Sequence, residues 1–530
     1  MQVQLYDTTL RDGAQREGIS FTVEDKLRIA KKLDELGVHF IEGGWPGSNP
    51  KDEEFFSKAQ SLNLSFAVLV AFGSTRRPKI EAEKDPNLSS LLDAKTDVVT
   101  IVGKSWDLQV TQVLDTTLDE NLRMVADSIG YLKSKGKRVF FDAEHFFDGY
   151  KANASYALET LKVASEAGAE CLVLCDTNGG TMPGEISAAC DAARKATGTP
   201  LGIHTHNDAE LAVANTLAAI QAGATQAQGT INGYGERCGN ANLCSIIPAL
   251  KLKMGIDCIS DEQLARLSEV AHYVSEVANL TFDSHLPYVG ASAFAHKGGL
   301  HVDAMMKWGK SYQHVDPDLV GNAFRTLVSE LSGKRGIIYK AREQGLEFLP
   351  EGEEARAILE RVKAMESRGF QYEDAEASFE LLVRRGQPDY QSPFELVDFM
   401  VVVEKRRRPS TIEEREEMLS EATVKVKVRG EVIHTAAEGN GPVNALDAAM
   451  RKALQFFYPE IKVVRLVDYK VRVIEGAEST GARVRVLIES SDGEQEWRTV
   501  GSSTNIIEAS WLALADSLEY WLLRKGSTPL

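Results

Sequence analysis

Apolar residues in the first half of the chain come in short runs separated by longer amphipathic stretches. Strand-like runs occupy residues 3–10, 38–43, 64–72, 97–103, 138–144, 171–176, 201–206 and 224–232. Between them lie helical patterns. In residues 23–37, Leu27, Ala30, Leu33 and Leu36 share one face and Gly37 supplies a stop. Further helical periods cover residues 119–134, 154–168, 185–196 and 210–222. Eight strands alternating with helices over about 250 residues predict a (β/α)8 TIM barrel. A doubly wound sheet is the alternative, but the glycine-rich phosphate fingerprint is missing after the first strand.

The pattern changes after the barrel. Residues 256 to about 410 read as mostly helical, with loop segments such as SHLPYVGASAFAHKGGLH. The last stretch holds an internal repeat. TVKVKVRGEVIHTAAEGNGPVNALDAAMRKAL reads as two strands, a glycine turn and a helix, and RVRVLIESSDGEQEWRTVGSSTNIIEASWLALADSL repeats that order. Asn444 to Ala448 line up with Asn505 to Ala509. The expected organisation is a catalytic barrel over 1–265, mostly helical linker subdomains over 266–415, and a C-terminal α+β pseudo-repeat over 416–530.

Composition narrows the class. At 530 residues the chain exceeds one ordinary domain. Hydrophobic and charged fractions of 43% and 26% are those of a soluble globular protein. A net charge of -17 argues against a general nucleic-acid or acidic-membrane binder. No apolar run reaches the ~18–20 residues that span a bilayer, and the start MQVQLYD lacks the regions of a signal peptide. The six cysteines form no disulfide-dense pattern, so they read as reduced thiols of a cytoplasmic protein. The run KRRRP at 405–409 reads as a solvated linker.

Candidate chemistry gathers at the strand ends, which in a barrel face the active site. The first strand delivers Arg11 and Asp12, a cation beside a carboxylate. His204 and His206 end the seventh strand two residues apart, so both imidazoles point the same way. Barrel closure sets strand one beside strand eight, which neighbours strand seven, so Asp12 can meet the two histidines. Strand eight leads into NGYGERCGNAN, whose glycines permit tight turns and whose Asn240 offers an amide oxygen. Two imidazoles, a carboxylate and an amide oxygen form a mixed N/O set suited to Mg, Mn or Zn. Glu144 and His145 end the fifth strand, where a carboxylate can accept or relay a proton. Thr177, after strand six, can donate to a substrate carboxylate or cap a helix. His296 and His301 lie in AHKGGLHVDA, beyond the barrel.

The motifs DTTLRDGAQ, HTHND, GYGERCGN and GGLHVDA, in that order, resemble the 2-isopropylmalate, homocitrate and citramalate synthase family of metal-dependent barrels. The resemblance spans essentially the whole chain, and the C-terminal repeat is similar to that family's allosteric domain. YDTTLRDGAQREGISF, IEGGWPGSNPKDEEFF and FFDAEHFFDGY look most like the citramalate branch. The resemblance implies metal positions at Asp12, His204, His206 and Asn240. It implies an oxo-group arginine at Arg11, a carboxylate-binding threonine at Thr177, a catalytic pair Glu144 and His301, and a tyrosine, Tyr312, that can reach a partner subunit's site. It implies condensation of acetyl-CoA with pyruvate and water, a homodimer, and an isoleucine or leucine effector. Asp142, two residues before Glu144, is a departure. Rival expectations are the isopropylmalate and homocitrate synthases, which differ in the oxo acid, a 3-hydroxy-3-methylglutaryl-CoA lyase type on the same barrel, and an amino-acid-sensing binding protein.

Overall fold

A computed structural model describes residues 2–329, 334–343, 352–387, 390–405, 418–474 and 482–526. The chain divides into two compact units: residues 1–294 with 314–324, and residues 295–313 with 325–530.

The first unit is a closed eight-stranded parallel barrel: β1 (Gln4–Asp7), β2 (Phe40–Gly44), β3 (Val68–Ser74), β4 (Val98–Lys104), β5 (Arg138–Glu144), β6 (Cys171–Asp176), β7 (Leu201–Thr205) and β8 (Gln226–Gly229). Closure is direct, with Gln4 opposite Gln226 and Asp7 opposite Gly229. Each expected strand is present. β1, β7 and β8 end earlier than the pattern implied, while β2, β3 and β4 run one or two residues further. Asp7 accepts from Thr9 N and Thr9 Oγ1, both at 2.8 Å, and stops β1 before the site loop. Alternation divides the buried residues. Tyr6, Phe40, Val70, Val98, Phe140, Cys171, Val173 and Cys175 form one cluster, the packed barrel interior. Their strand neighbours pack outward against the helices. Cys171 and Cys175 are therefore core thiols, and burial pushes both well up from the ordinary thiol range.

Helix α1 (Val23–Leu36) starts on a capping box between Thr22 and Asp25 and stops at Gly37, whose φ is 85°. Periodicity did not single out α2 (Pro50–Ala59) and α3 (Pro86–Asp93), yet proline at N1 and the side chains of Asn49 and Asp85 start them. The helix expected at 154–168 begins earlier, at Phe146, and runs to Glu166. Asn153 (φ −151°, ψ 80°) breaks it, so only its second half carries a continuous period.

The second unit packs the helices Lys334–Glu343, Gly352–Glu366 and Glu376–Arg384 around Ile337, Val362 and Phe379. β9 (Ala295–His296) pairs with β10 (Arg325–Thr326). The repeat is present with one strand more per half than the pattern implied. β11 (Glu395–Lys405), β12 (Met418–Val428) and β13 (Glu431–Gly439) precede helix Pro442–Leu454. β14 (Arg465–Val473), β15 (Val484–Ser491) and β16 (Glu496–Ser503) precede helix Ile506–Lys525. The halves share details that the sequence similarity alone does not fix. Each first strand is irregular at one point, Leu396/Asp398 and Leu466/Asp468. Thr435 Oγ1 donates to Ala449 O at 2.7 Å, and Thr499 Oγ1 donates to Ala513 O at 2.8 Å. β11 lies in the stretch expected to be mostly helical. Of the KRRRP run, all but Lys405 lies outside the described residues. No helix among the described residues is long and apolar enough to cross a membrane.

Candidate active site

The loop after β1 folds back on itself, with Arg11 N and Gly13 N both donating to Thr8 O. This turns Arg11 and Asp12 inward over the barrel end. Asp12, His204 and His206 meet there, each offering a donor atom within 4.8 Å of the others, and all three are buried. His204 Nε2 lies 3.5 Å from Asp12 Oδ2 and 3.4 Å from His206 Nε2. Asp12 Oδ1, His206 Nδ1 and both amide atoms of Asn240 are buried without a hydrogen-bond partner. Buried polar atoms left unpaired in a concave site are costly unless something binds them. This donor chemistry fits a divalent cation.

Asn240 arrives by a tight glycine loop and bridges in antiparallel fashion to His206. Gly239 carries φ 91°, and a Cβ there would sit 2.0 Å from Gly233 O, so the loop requires glycine at this point.

Arg11 is fixed from three sides. Its Nε donates to Glu42 Oε1 at 2.6 Å, its Nη1 to Asp12 Oδ2 at 3.1 Å, and its guanidinium lies 3.9 Å over the Phe72 ring. Glu42, fully buried, also accepts from Tyr6 Oη at 2.6 Å. Burial raises the Glu42 carboxyl although Arg11 opposes it. For Asp12, burial also pushes upward, but Arg11 and the two imidazoles outweigh it and hold the carboxyl below its ordinary range. Burial, reinforced by His204, lowers the His206 imidazole to about 4. Both ring nitrogens of an uncharged imidazole can be divided between a proton and a ligand.

Glu144 is ion-paired with Lys104, at the end of the neighbouring strand β4. Thr177 does not cap a helix; the cap of the following helix is Met182. Its Oγ1 instead accepts from His145 N at 2.8 Å, and its carbonyl accepts from Arg237 Nη2 at 2.7 Å. Arg11, Asp12, Glu144, Thr177, His204 and His206 all line one cavity of about 240 Å³, together with Asp142. A second cavity of about 540 Å³ shares Arg11, Gln15 and Trp45 with it. His301 and Tyr312 lie in the second compact unit, where their rings stack 4.3 Å apart. His296 is 6.2 Å from His301.

The sequence pattern passed over Glu42, Lys104 and Gln228. Glu42 is the polar residue of FIEGG, Lys104 ends VVTIVGK, and Gln228 alternates with Gln226 in QAQG.

An eight-stranded barrel with a buried Asp–His–His cluster at its strand ends defines the class. Residues 2–274 match the HMGL-like family, residues 288–369 the homocitrate synthase post-HMGL domain-like family, and residues 373–522 the LeuA allosteric (dimerisation) domain. The chain is 56% identical over 520 residues to an (R)-citramalate synthase of Geobacter sulfurreducens, covering 98% of this chain and 97% of that one. It is 52% identical to an (R)-citramalate synthase of Aquifex aeolicus, covering 99% and 98%. Identity to a 2-isopropylmalate synthase of Methanocaldococcus jannaschii is 31%, covering 99% and 95%. The chain belongs to the (R)-citramalate synthase family.

Proposed function

We propose that the protein is an acyltransferase that condenses acetyl-CoA with pyruvate and water to give (R)-citramalate and free CoA, for isoleucine biosynthesis. The observation that carries this reading is the set Arg11, Asp12, His204 and His206 around one cavity in a chain 46–56% identical to five (R)-citramalate synthases. The neighbouring cavity gives a second reactant room to approach Arg11.

Asp12, His204, His206 and Asn240 would hold a divalent cation, Mg, Mn or Zn. When bound, it supplies Lewis-acid polarisation of the keto oxygen. Arg11, held by Glu42 and Phe72, stabilises the alkoxide that forms as the new carbon–carbon bond closes. Thr177 Oγ1 already accepts from His145 N, so its own proton is free to donate to the pyruvate carboxylate. The acetyl methyl must lose a proton, and Glu144, a carboxylate lining this cavity at the end of β5, is the group assigned to take or relay it. Its ion pair with Lys104 fixes the side chain at the end of β5. His301 is its proposed partner, and Tyr312 a proposed contributor from the same segment; both rest on the motif resemblance. Water then hydrolyses the thioester, releasing the thiol of CoA and a carboxylate, which makes the sequence irreversible in practice.

The LeuA allosteric (dimerisation) match supports a homodimer regulated through the C-terminal unit. The proposed effector is isoleucine, with leucine as the alternative. The deciding experiment is thiol release from acetyl-CoA with pyruvate, 3-methyl-2-oxobutanoate or 2-oxoglutarate. Release with pyruvate is expected. Release with only one of the others would name an isopropylmalate or homocitrate synthase, and none at all a binding protein. Calorimetric titration with isoleucine and leucine tests the effector.

A further inference from the structure

Beneath the proposed metal site, three buried polar side chains from three strands form a chain across the barrel interior. Asp142 comes from β5, Gln228 from β8 and His204 from β7; they are 3%, 0% and 5% exposed. Gln228 Nε2 lies 3.4 Å from Asp142 Oδ1 and 3.3 Å from Gln226 Oε1, while Gln228 Oε1 lies 3.1 Å from His204 Nδ1. An amide has a donor end and an acceptor end of nearly the same shape, so its surroundings decide which way it faces. Two oxygens, Asp142 Oδ1 and Gln226 Oε1, flank the same end of this amide. Oδ1 accepts when the carboxyl is ionised or carries its proton on Oδ2, so the amide nitrogen faces Asp142 and the amide oxygen faces His204.

That orientation has a consequence at the site. An oxygen opposite Nδ1 demands a proton on Nδ1, which leaves the Nε2 lone pair bare. Nε2 is the nitrogen that lies beside His206 Nε2 and Asp12 Oδ2. A reversed amide would put the proton on Nε2, in the space a cation needs. Resting on the metal-site reading above, we propose that Asp142 and Gln228 are positioning residues that lock His204 into the Nδ1–H tautomer and so reserve Nε2 for the metal.

The test measures metal affinity of the full-length, metal-stripped chain by competition of Zn²⁺ with a chromophoric chelator, with no turnover involved. Gln228→Met keeps the length but loses the acceptor and should weaken binding by about 10–100-fold. Gln228→Glu keeps an acceptor against Nδ1 and should stay within about threefold of wild type. A carboxylate has no wrong face, which gives the sharper comparison. Asp142→Ala should cost about tenfold when Gln228 is present and nothing further in the Gln228→Glu background. Equal cost in both backgrounds would reduce Asp142 to a space-filling role and overturn the proposal, as would a Gln228→Met chain that binds like wild type. If Gln228→Met does not fold, the two Asp142→Ala measurements decide alone. If the doubly substituted chain does not fold, Gln228→Met against Gln228→Glu decides. Wild-type protein that takes up no metal overturns the site reading itself; metal uptake that none of the substitutions changes overturns only the relay.

Discussion

Arg11 Nε and Glu42 Oε1 sit 2.6 Å apart, with the carboxylate fully buried and the guanidinium nearly so. Removing one member of such a pair strands the other charge. Glu42→Ala should therefore destabilise the barrel by about 3–5 kcal/mol. Glu42→Gln, which still accepts from Arg11, should cost much less. Urea unfolding followed by tryptophan fluorescence reads both; equal losses for the two variants would show that the charge, and not the acceptor oxygen, is what holds Arg11.

Glu144 is the proposed proton acceptor, paired with Lys104. Glu144→Gln is nearly isosteric and should leave folding and pyruvate binding in place. Turnover should fall by about 10²–10⁴-fold. Thiol release at saturating acetyl-CoA measures it, and near-normal turnover removes Glu144 from the chemistry.

His206→Ala takes away one member of the buried Asp12, His204, His206 cluster. The purified variant should lose its metal on gel filtration in a chelator-containing buffer, while wild type retains it. Elemental analysis of the eluted protein decides. Equal metal content would place the cation elsewhere.

A different carboxylate should report on acid stability. Glu120 accepts from Lys79 N at 3.0 Å and from Arg76 Nη1 at 2.8 Å. These bonds, the backbone donor first and the guanidinium second, lower its carboxyl from 4.5 to about 2. The folded state binds the proton less readily than the unfolded chain. The stabilisation is complete above pH 4.5 and is lost as pH falls towards 2. Glu120→Gln should flatten the decline of the thermal midpoint across that window. An unchanged slope would show that Arg76 and Lys79 do not hold the charge.

Removing everything after residue 415 should not yield a clean catalytic fragment. β11 pairs along its length with β12, and Leu396, Phe399 and Val401 pack against the C-terminal core. The cut leaves a long, partly apolar edge strand with no partner. Aggregation on gel filtration is expected. A monodisperse, active fragment would contradict the strand pairing.

The barrel was legible because its signals are local. Eight apolar runs separated by helical periods need no knowledge of distant residues, and the i, i+2 spacing of His204 and His206 puts both rings on one side. Closure then brings Asp12 to them with no further information than strand order. The first strand of each C-terminal half was less legible. β14 is exposed along most of its length, so the alternation of apolar and polar positions that marks a half-buried strand is weak there.

The sequence by itself determined the alternation that builds a barrel, the residues that can hold a cation, and the repeat at the C-terminus. It did not determine which polar residues would support them. Glu42 reaches Arg11 across 31 positions, Lys104 reaches Glu144 across two adjacent strands, and Gln228 meets Asp142 across 86 positions. Such pairs are set by register and side-chain direction inside a closed sheet, where burial removes water as an alternative partner and makes each polar group depend on whichever strand faces it. Tertiary structure alone decided that Arg11 is clamped, that Thr177 has its proton to spare, and that the interior of the barrel carries a hydrogen-bonded line leading to His204.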